Sequence, residues 1–222
     1  MNDDRPLDRS QKLWLALECF GLFVAAPVGG SLARIPLAVI PMLLVMALAC
    51  GLALHLHYGV GWREMLLSQA PKQEWRRVMG IFVIALPLLL TTLWLIKPEA
   101  LFSLVRQHPG FWLLLMAAYP LLSVIPQELI YRAFFFRRYR ALFGESYCMV
   151  FVSAVLFSLG HLLFHNWIAV ALSFIGGCLF GRTYQRTSSL PLTAVEHSLY
   201  GCAVFTVGYG AFFLDDTLRA FK

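Results

Sequence analysis

Residues 126–140 read PQELIYRAFFFRRYR, which puts a glutamate, Glu128, and an arginine, Arg132, inside an apolar run beginning near residue 111. An ionisable side chain costs roughly 2.5–3.5 kcal/mol at the centre of a bilayer on insertion scales, so groups placed there face one another or a wet cavity. Two later stretches share this character. FSLGHLLFH (157–165) carries His161 and His165, and AVEHSLYG (194–201) carries Glu196 and His197.

The membrane setting follows from composition. Of 222 residues, 59% are hydrophobic and only 14% charged, with a mean hydropathy of +0.71. These values lie far from those of a soluble domain. Near-continuous apolar runs long enough to cross about 30 Å of hydrocarbon occur at about 13–30, 35–57, 77–96, 111–136, 147–165, 166–185 and 190–214. The expected fold class is all-α, a polytopic transmembrane helical bundle of about seven or eight spans around a central cavity; an eighth span or a re-entrant segment would return the C-terminus to the cytoplasm. The chain reads as a single integral membrane domain over 1–222, with a motif-bearing core at about 110–205. The fifth and sixth runs adjoin at His165, Asn166 and Trp167, which requires a tight turn.

Positive charge alternates between the connecting segments. Arg5, Arg9 and Lys12 precede the first run and Arg34 alone follows it. Next come Arg63, Lys72, Arg76 and Arg77, then Lys97 and Arg106, then Arg137, Arg138 and Arg140. None separates the fifth and sixth runs, Arg182 and Arg186 follow, and Arg219 and Lys222 close the chain. The rich segments predict a cytoplasmic N-terminus and, with seven spans, an external C-terminus. The net charge of +6 is therefore a topology signal facing lipid headgroups, and no nucleic-acid motif accompanies it. The opening MNDDRPLDRSQK has mixed charge and no small-residue cleavage site after the first run, so no cleaved signal peptide is expected. Residues 58–76 are amphipathic and fit either an interfacial helix or a simple loop. Five cysteines stand singly, without a C-x-x-C pair, which suggests neither a disulfide framework nor a thiolate metal site.

Depth connects the three motifs. At about 1.5 Å per residue, Glu128 lies roughly 12–14 Å in from Arg137, His197 roughly 10–13 Å in from Ser189, and His161 roughly 20 Å in from Ser146. All three fall near the midplane. The 111–136 run would be about 39 Å long, and Pro120 and Pro126 predict a break within it. A helix starting at Pro126 would hold Gln127 and Glu128 in its first turn. Glu128 and Arg132 share a face at i, i+4. So would His161 and His165, and together with His197 and Glu128 they make a conceivable zinc set, although the H-E-x-x-H glutamate is absent. A buried ion pair that only joins helices is the plainer alternative.

The strings Q-E-L-I-Y-R, F-S-L-G-H and G-R-T-Y-Q-R-T-S-S-L-P-L-T-A-V-E-H, over about residues 110–205, resemble the CPBP or Abi family of CAAX-processing and bacteriocin-processing intramembrane glutamic endopeptidases. Its pattern is E-E-x-x-x-R, F-x-x-x-H and H-x-x-x-N/D on membrane helices enclosing a central cavity. The resemblance implies Glu128, His161 and His197 as catalytic residues, with Arg132 and Phe157 in support. It also implies a membrane-associated peptide or protein substrate in the bilayer, no cofactor, and residence in a bacterial inner (cytoplasmic) membrane.

Two positions depart from the pattern. Gln127 replaces the first glutamate, and a carboxamide can orient a water but cannot accept its proton. Gly201 replaces the Asn or Asp and lacks a donor for an oxyanion. Glu196 and Tyr200 are the nearest polar substitutes, though neither shares the face of His197. The expected mechanism has Glu128 and His161 holding a water whose proton goes to Glu128, His197 stabilising the oxyanion, and Arg132 with Gln127 fixing the glutamate. The alternatives are a silent relative that binds a membrane peptide or stabilises a partner, and a zinc-dependent metalloprotease. A proton-relay transporter would call for an inverted repeat, and none is visible. The sequence sets neither the substrate's prenylation nor the oligomeric state.

Overall fold

The computed structural model describes residues 7–33 and 39–213. The segments carrying Arg5, Arg34, Arg219 and Lys222, and the last residue of the seventh run, lie outside the described residues. The described chain is all-α, a multi-pass membrane bundle. Its long helices are α1 (Arg9–Leu32), α2 (Val39–Tyr58), α3 (Lys72–Ile96), α4 (Pro109–Arg138), α5 (Tyr147–Phe164), α6 (Trp167–Thr187) and α7 (Leu190–Val207). The first six are long and apolar enough to cross a membrane. Their outward faces suit lipid: Val83, Ile84 and Leu88 of α3 stand 64%, 66% and 61% exposed. Seven runs were expected to qualify. The seventh, α7, is 18 residues long and is made more polar by Glu196 and His197.

Helix ends follow local chemistry. Asp8 caps α1 through a reciprocal pair, its carboxylate accepting from Gln11 N at 2.8 Å and its own N–H donating to Gln11 Oε1 at 3.0 Å. Ser146, Asn166 and Ser189 cap α5, α6 and α7. The turn between α5 and α6 is as tight as the sequence requires. α5 closes in a 3₁₀ turn, His161–Phe164, His165 takes φ 48°, and Asn166 already caps α6. The 3₁₀ turn also moves His165 off the face of His161, because i, i+4 neighbours coincide only in an α-helix. Between the end of α2 at Tyr58 and the start of α3 at Lys72, the 58–76 segment is helical only over Trp62–Leu66.

The predicted break in α4 does not occur. The helix runs unbroken through Pro120 and Pro126 because its turns widen. Residues Pro120–Val124 and Leu129–Phe134 are π-helical, and Ile125 N–H reaches back five residues to Pro120 O. A wide turn leaves room for the pyrrolidine ring and relocates the hydrogen bond it forfeits. The same device precedes Pro27 in α1, where Gly21–Ala25 is π-helical and Ala26 N–H donates to Gly21 O.

Packing is aromatic and close. Phe23 of α1 is fully buried, with Tyr131 and Phe135 edge-on at 5.4 Å and Tyr139 at 5.9 Å. α5 and α6 meet through small residues, since a Cβ at Gly177 would sit 2.9 Å from Ala154 Cα and one at Gly181 3.3 Å from Val150 Cγ1. The arginine-rich segments gather at one face. Arg138 binds both oxygens of Glu18 at 2.9 and 2.6 Å, Glu74 takes Arg77 at 2.7 Å and also Arg186, and Ser189 Oγ donates to Ser68 O at 2.9 Å.

Candidate active site

Glu128 and Arg132 lie on consecutive turns of α4, both with no exposed surface, and the carboxylate Oε2 stands 3.3 Å from the guanidinium Nε. The guanidinium plane faces aromatic rings, with Cζ 4.8 Å from the centroid of Phe157 and 5.9 Å from that of Phe180. Its Nη1 and Nη2 make no hydrogen bond among the described residues. The ion pair is thus held in place more by packing than by hydrogen bonds.

The other oxygen of Glu128 faces α7. His197 Nδ1 lies 2.8 Å from Oε1, and Nε2 on the opposite side of the ring lies 3.1 Å from the hydroxyl of Tyr119. The imidazole stacks on Phe180 at 4.5 Å, and Phe157 stands edge-on to it at 5.5 Å. Carboxylate, imidazole and phenol therefore form one chain, with the imidazole clamped by two rings. A carboxylate on Nδ1 fixes the imidazole's orientation and favours a proton there.

His161 lies against Phe157, with ring centroids 4.7 Å apart. Its Nδ1 lies 2.8 Å from Phe157 O, which, as N–H to carbonyl, leaves Nε2 as the free acceptor. His161 and Tyr119 are half-buried whereas Glu128 and Arg132 are sealed.

Gln127 does not reach Glu128. Its amide donates to Ser123 Oγ at 2.6 Å, one turn back along α4. Glu196, about 100° round α7 from His197, is fully buried beside Thr183, whose Oγ1 accepts from Arg77 at 2.6 Å. The Tyr200 ring lies against Phe82 and Phe180, not toward His197 Nε2. At Gly201 a Cβ would sit 2.5 Å from Tyr119 Cζ and nearer still to its hydroxyl.

The conceivable zinc set is not assembled. Among the described residues no three His, Cys, Asp or Glu side chains converge as a metal site. Glu128 and His197 are bonded to each other, Nδ1 of His161 is turned to a carbonyl, and His165 is exposed at the α5–α6 turn. The residues present therefore do not fit the ion, for a local reason: the 3₁₀ turn takes the second histidine away.

The structure brings together Glu128, Arg132, His161 and His197, which the sequence singles out, and adds Tyr119 and Phe180, which it does not. In an ideal α-helix, residues nine apart differ by about 900°, which places Tyr119 and Glu128 on opposite faces. Only the wide turn at Pro120–Val124 changes that register. Phe180 carries no local signal, because an aromatic residue in an apolar span reads as packing. Compared with known proteins, residues 109–203 match the family described as Type II CAAX prenyl endopeptidase Rce1-like. No curated protein and no solved structure matches the chain.

Proposed function

Residues 109–203 belong to the Rce1-like family of type II CAAX prenyl endopeptidases, and from that premise we propose that the chain is an intramembrane endopeptidase cleaving a membrane-associated peptide or protein tail. The observation that carries the reading is the buried bond from Glu128 Oε1 to His197 Nδ1, at 2.8 Å. Burying such polar groups costs stability, which is why an intramembrane carboxylate facing a histidine points to a functional site.

In this reading Glu128 turns its two oxygens to Arg132 and His197, so its part is to hold His197 in place. The base is His161, whose Nε2 accepts the proton of a water as that water's oxygen attacks the scissile carbonyl carbon. The carbonyl oxygen becomes an oxyanion, stabilised from the side of His197. His161 then returns the proton to the leaving amine as the C–N bond breaks. Arg132 faces Glu128 as its counter-ion, and Phe157 and Phe180 exclude water from the pair. Gln127 orients the turn through Ser123, and Glu196 lies behind the site.

The whole of 1–222 is one integral membrane domain around a central cavity, with α7 as its seventh span. The face carrying Glu18, Arg138 and Arg186 is cytoplasmic, in keeping with the positive-inside rule. The N-terminus is on the same side, in a bacterial inner membrane. Impermeant thiol reagents applied from outside should leave cysteines introduced near Arg138 unlabelled, and strong external labelling there overturns the orientation.

Gln127 at the family's first glutamate favours one second reading, a silent relative that binds a membrane peptide. The deciding experiment incubates purified protein in nanodiscs with peptides ending in a prenylated Cys-a-a-X tail, with the same peptides unprenylated, and with a chelator. Cleavage that is lost in His161→Ala and survives chelation supports the endopeptidase. If no tail is cut, and Glu128→Gln, His161→Ala and His197→Ala proteins retain full biological function, the binding reading stands. Chelator-sensitive cleavage with one zinc held per chain would return the question to a metalloprotease.

A further inference from the structure

We propose that Tyr119 is a catalytic residue that donates the oxyanion hydrogen bond the chain lacks at Gly201; the proposal deepens the endopeptidase reading and rests on it. The position four residues after His197 faces the same side of α7 as the imidazole and here has no side chain. The space is not empty. Tyr119 of α4 fills it so closely that a Cβ on Gly201 would overlap the phenol ring. The ring lies along one face of α7, edge-on to His197 at 6.0 Å and to Phe205 at 5.2 Å, with Gly201 between them. Residues 197, 201 and 205 repeat every four, so the groove that seats the phenol is built by α7's own periodicity.

The hydroxyl at the end of that groove is 3.1 Å from His197 Nε2. Where Nε2 carries a proton, Nε2–H donates to the phenol oxygen across that separation. The phenol's own proton is then free to point outward. As the carbonyl oxygen becomes an oxyanion, that proton donates to it without being transferred. A phenol is a stronger donor than the carboxamide it replaces, and each link in a donor chain strengthens the next. Tyr119 and His161 both keep some exposed surface, whereas Glu128 and Arg132 have none, and in this proposal the water on His161 and the phenol donor meet the substrate carbonyl from the same side. Glycine at 201 and tyrosine at 119 are then one feature: the first makes room, the second supplies the donor.

The test measures kcat and KM of the full-length protein in nanodiscs on a prenylated Cys-a-a-X peptide. Tyr119→Phe keeps the ring and removes only the hydroxyl, and should lower kcat by roughly 10²–10³-fold, the usual effect of removing one oxyanion donor, with KM and melting temperature little changed. Tyr119→Ala should lose at least as much. Adding Gly201→Asn to Tyr119→Ala places a carboxamide in the cleared space and should recover at least about tenfold, whereas Gly201→Asn alone should inactivate by displacing the ring. A purely structural Tyr119 predicts the reverse split, a lowered melting temperature in Tyr119→Phe with kcat intact and no rescue by the second change. If Tyr119→Phe retains wild-type kcat while Glu128→Gln and His161→Ala lose it, the Tyr119 assignment is overturned and the endopeptidase survives. If wild-type protein cuts nothing, both fall together.

Discussion

Two clusters in this molecule combine a glutamate, an arginine and a tyrosine, and they are built to opposite rules. At the charged face, Glu18 accepts from Arg138 at 2.6 and 2.9 Å and from Tyr139 at 2.9 Å, and Arg138 also reaches Tyr58 at 3.3 Å. That cluster is about a third exposed and joins α1, α2 and the end of α4. In the interior, Glu128 and Arg132 meet at 3.3 Å with no exposure and without a well-aligned hydrogen bond between them, and the best bond runs to a histidine. Where water is near, a fork of aligned bonds secures three helices at small desolvation cost. Where water is far, alignment is given up, and the carboxylate is turned toward a group that can carry a proton. The first arrangement is a fastening, and the second is the one the proposed chemistry uses.

The sharpest way to break the comparison is to make the same change in both clusters. Glu128→Gln keeps shape but removes the charge that holds His197, and kcat/KM should fall on the order of 10⁴-fold, as when an orienting carboxylate is neutralised. The same change strands Arg132 in the interior, and unfolding in denaturant should show a loss of about 3–5 kcal/mol. Glu18→Gln should leave kcat/KM within about threefold and cost only about 1–2 kcal/mol, the range of hydrogen bonds to charged groups at a partly exposed site. Equal losses of activity in the two variants would erase the distinction.

A third change touches neither cluster. Gly177→Val presses on Ala154 across the α5–α6 seam and should lower stability by about 1–3 kcal/mol, as overpacking does. His161 and His197 are carried on α5 and α7, so activity should follow stability and recover on cooling.

The smallest expected effect is at the start of α1. The backbone N–H of Gln11 and the hydroxyl of Ser10 hold the Asp8 carboxyl below its ordinary value of 3.8. A depressed folded pKa contributes stability above 3.8 that is lost as pH falls through the folded value. Amide exchange at Gln11 should therefore accelerate only in acid below about pH 4, while the interior cluster's hydrogen bonds are unaffected by Asp8→Ala at neutral pH.

Much of the fold could be read from the chain because hydropathy over about 20 residues is a strong signal, and the capping residues Asp8, Ser146, Asn166 and Ser189 stand where helices begin. Counting rise along each run set Glu128, His161 and His197 at similar levels, and the bond from Glu128 to His197 and the contacts of Phe157 with both histidines show the three near one another. Rotation about the axis does not survive small errors in boundaries. The expected break at Pro126, the shared face of His161 and His165, and the silence about Tyr119 all trace to turns that are not α-helical. Whether a turn holds three, four or five residues per hydrogen-bonded step depends on packing from other helices, which a local pattern does not contain. Gln127 illustrates the same limit, since only its neighbour Ser123 explains where its amide points.

The wide turn at Pro120–Val124 can be thought of as one surplus residue stored inside a helix. An ordinary insertion is accommodated in a loop and leaves helices in register, but this one is absorbed along the axis, so everything before it is rotated relative to everything after. Removing a single residue from 120–124 would leave a hydrophobic, spanning α4 of almost the same length, and would swing Tyr119 by about 100° away from His197 while leaving Glu128 in place. Such a deletion is nearly invisible to hydropathy, and it would uncouple the two ends of the site without altering any of its residues.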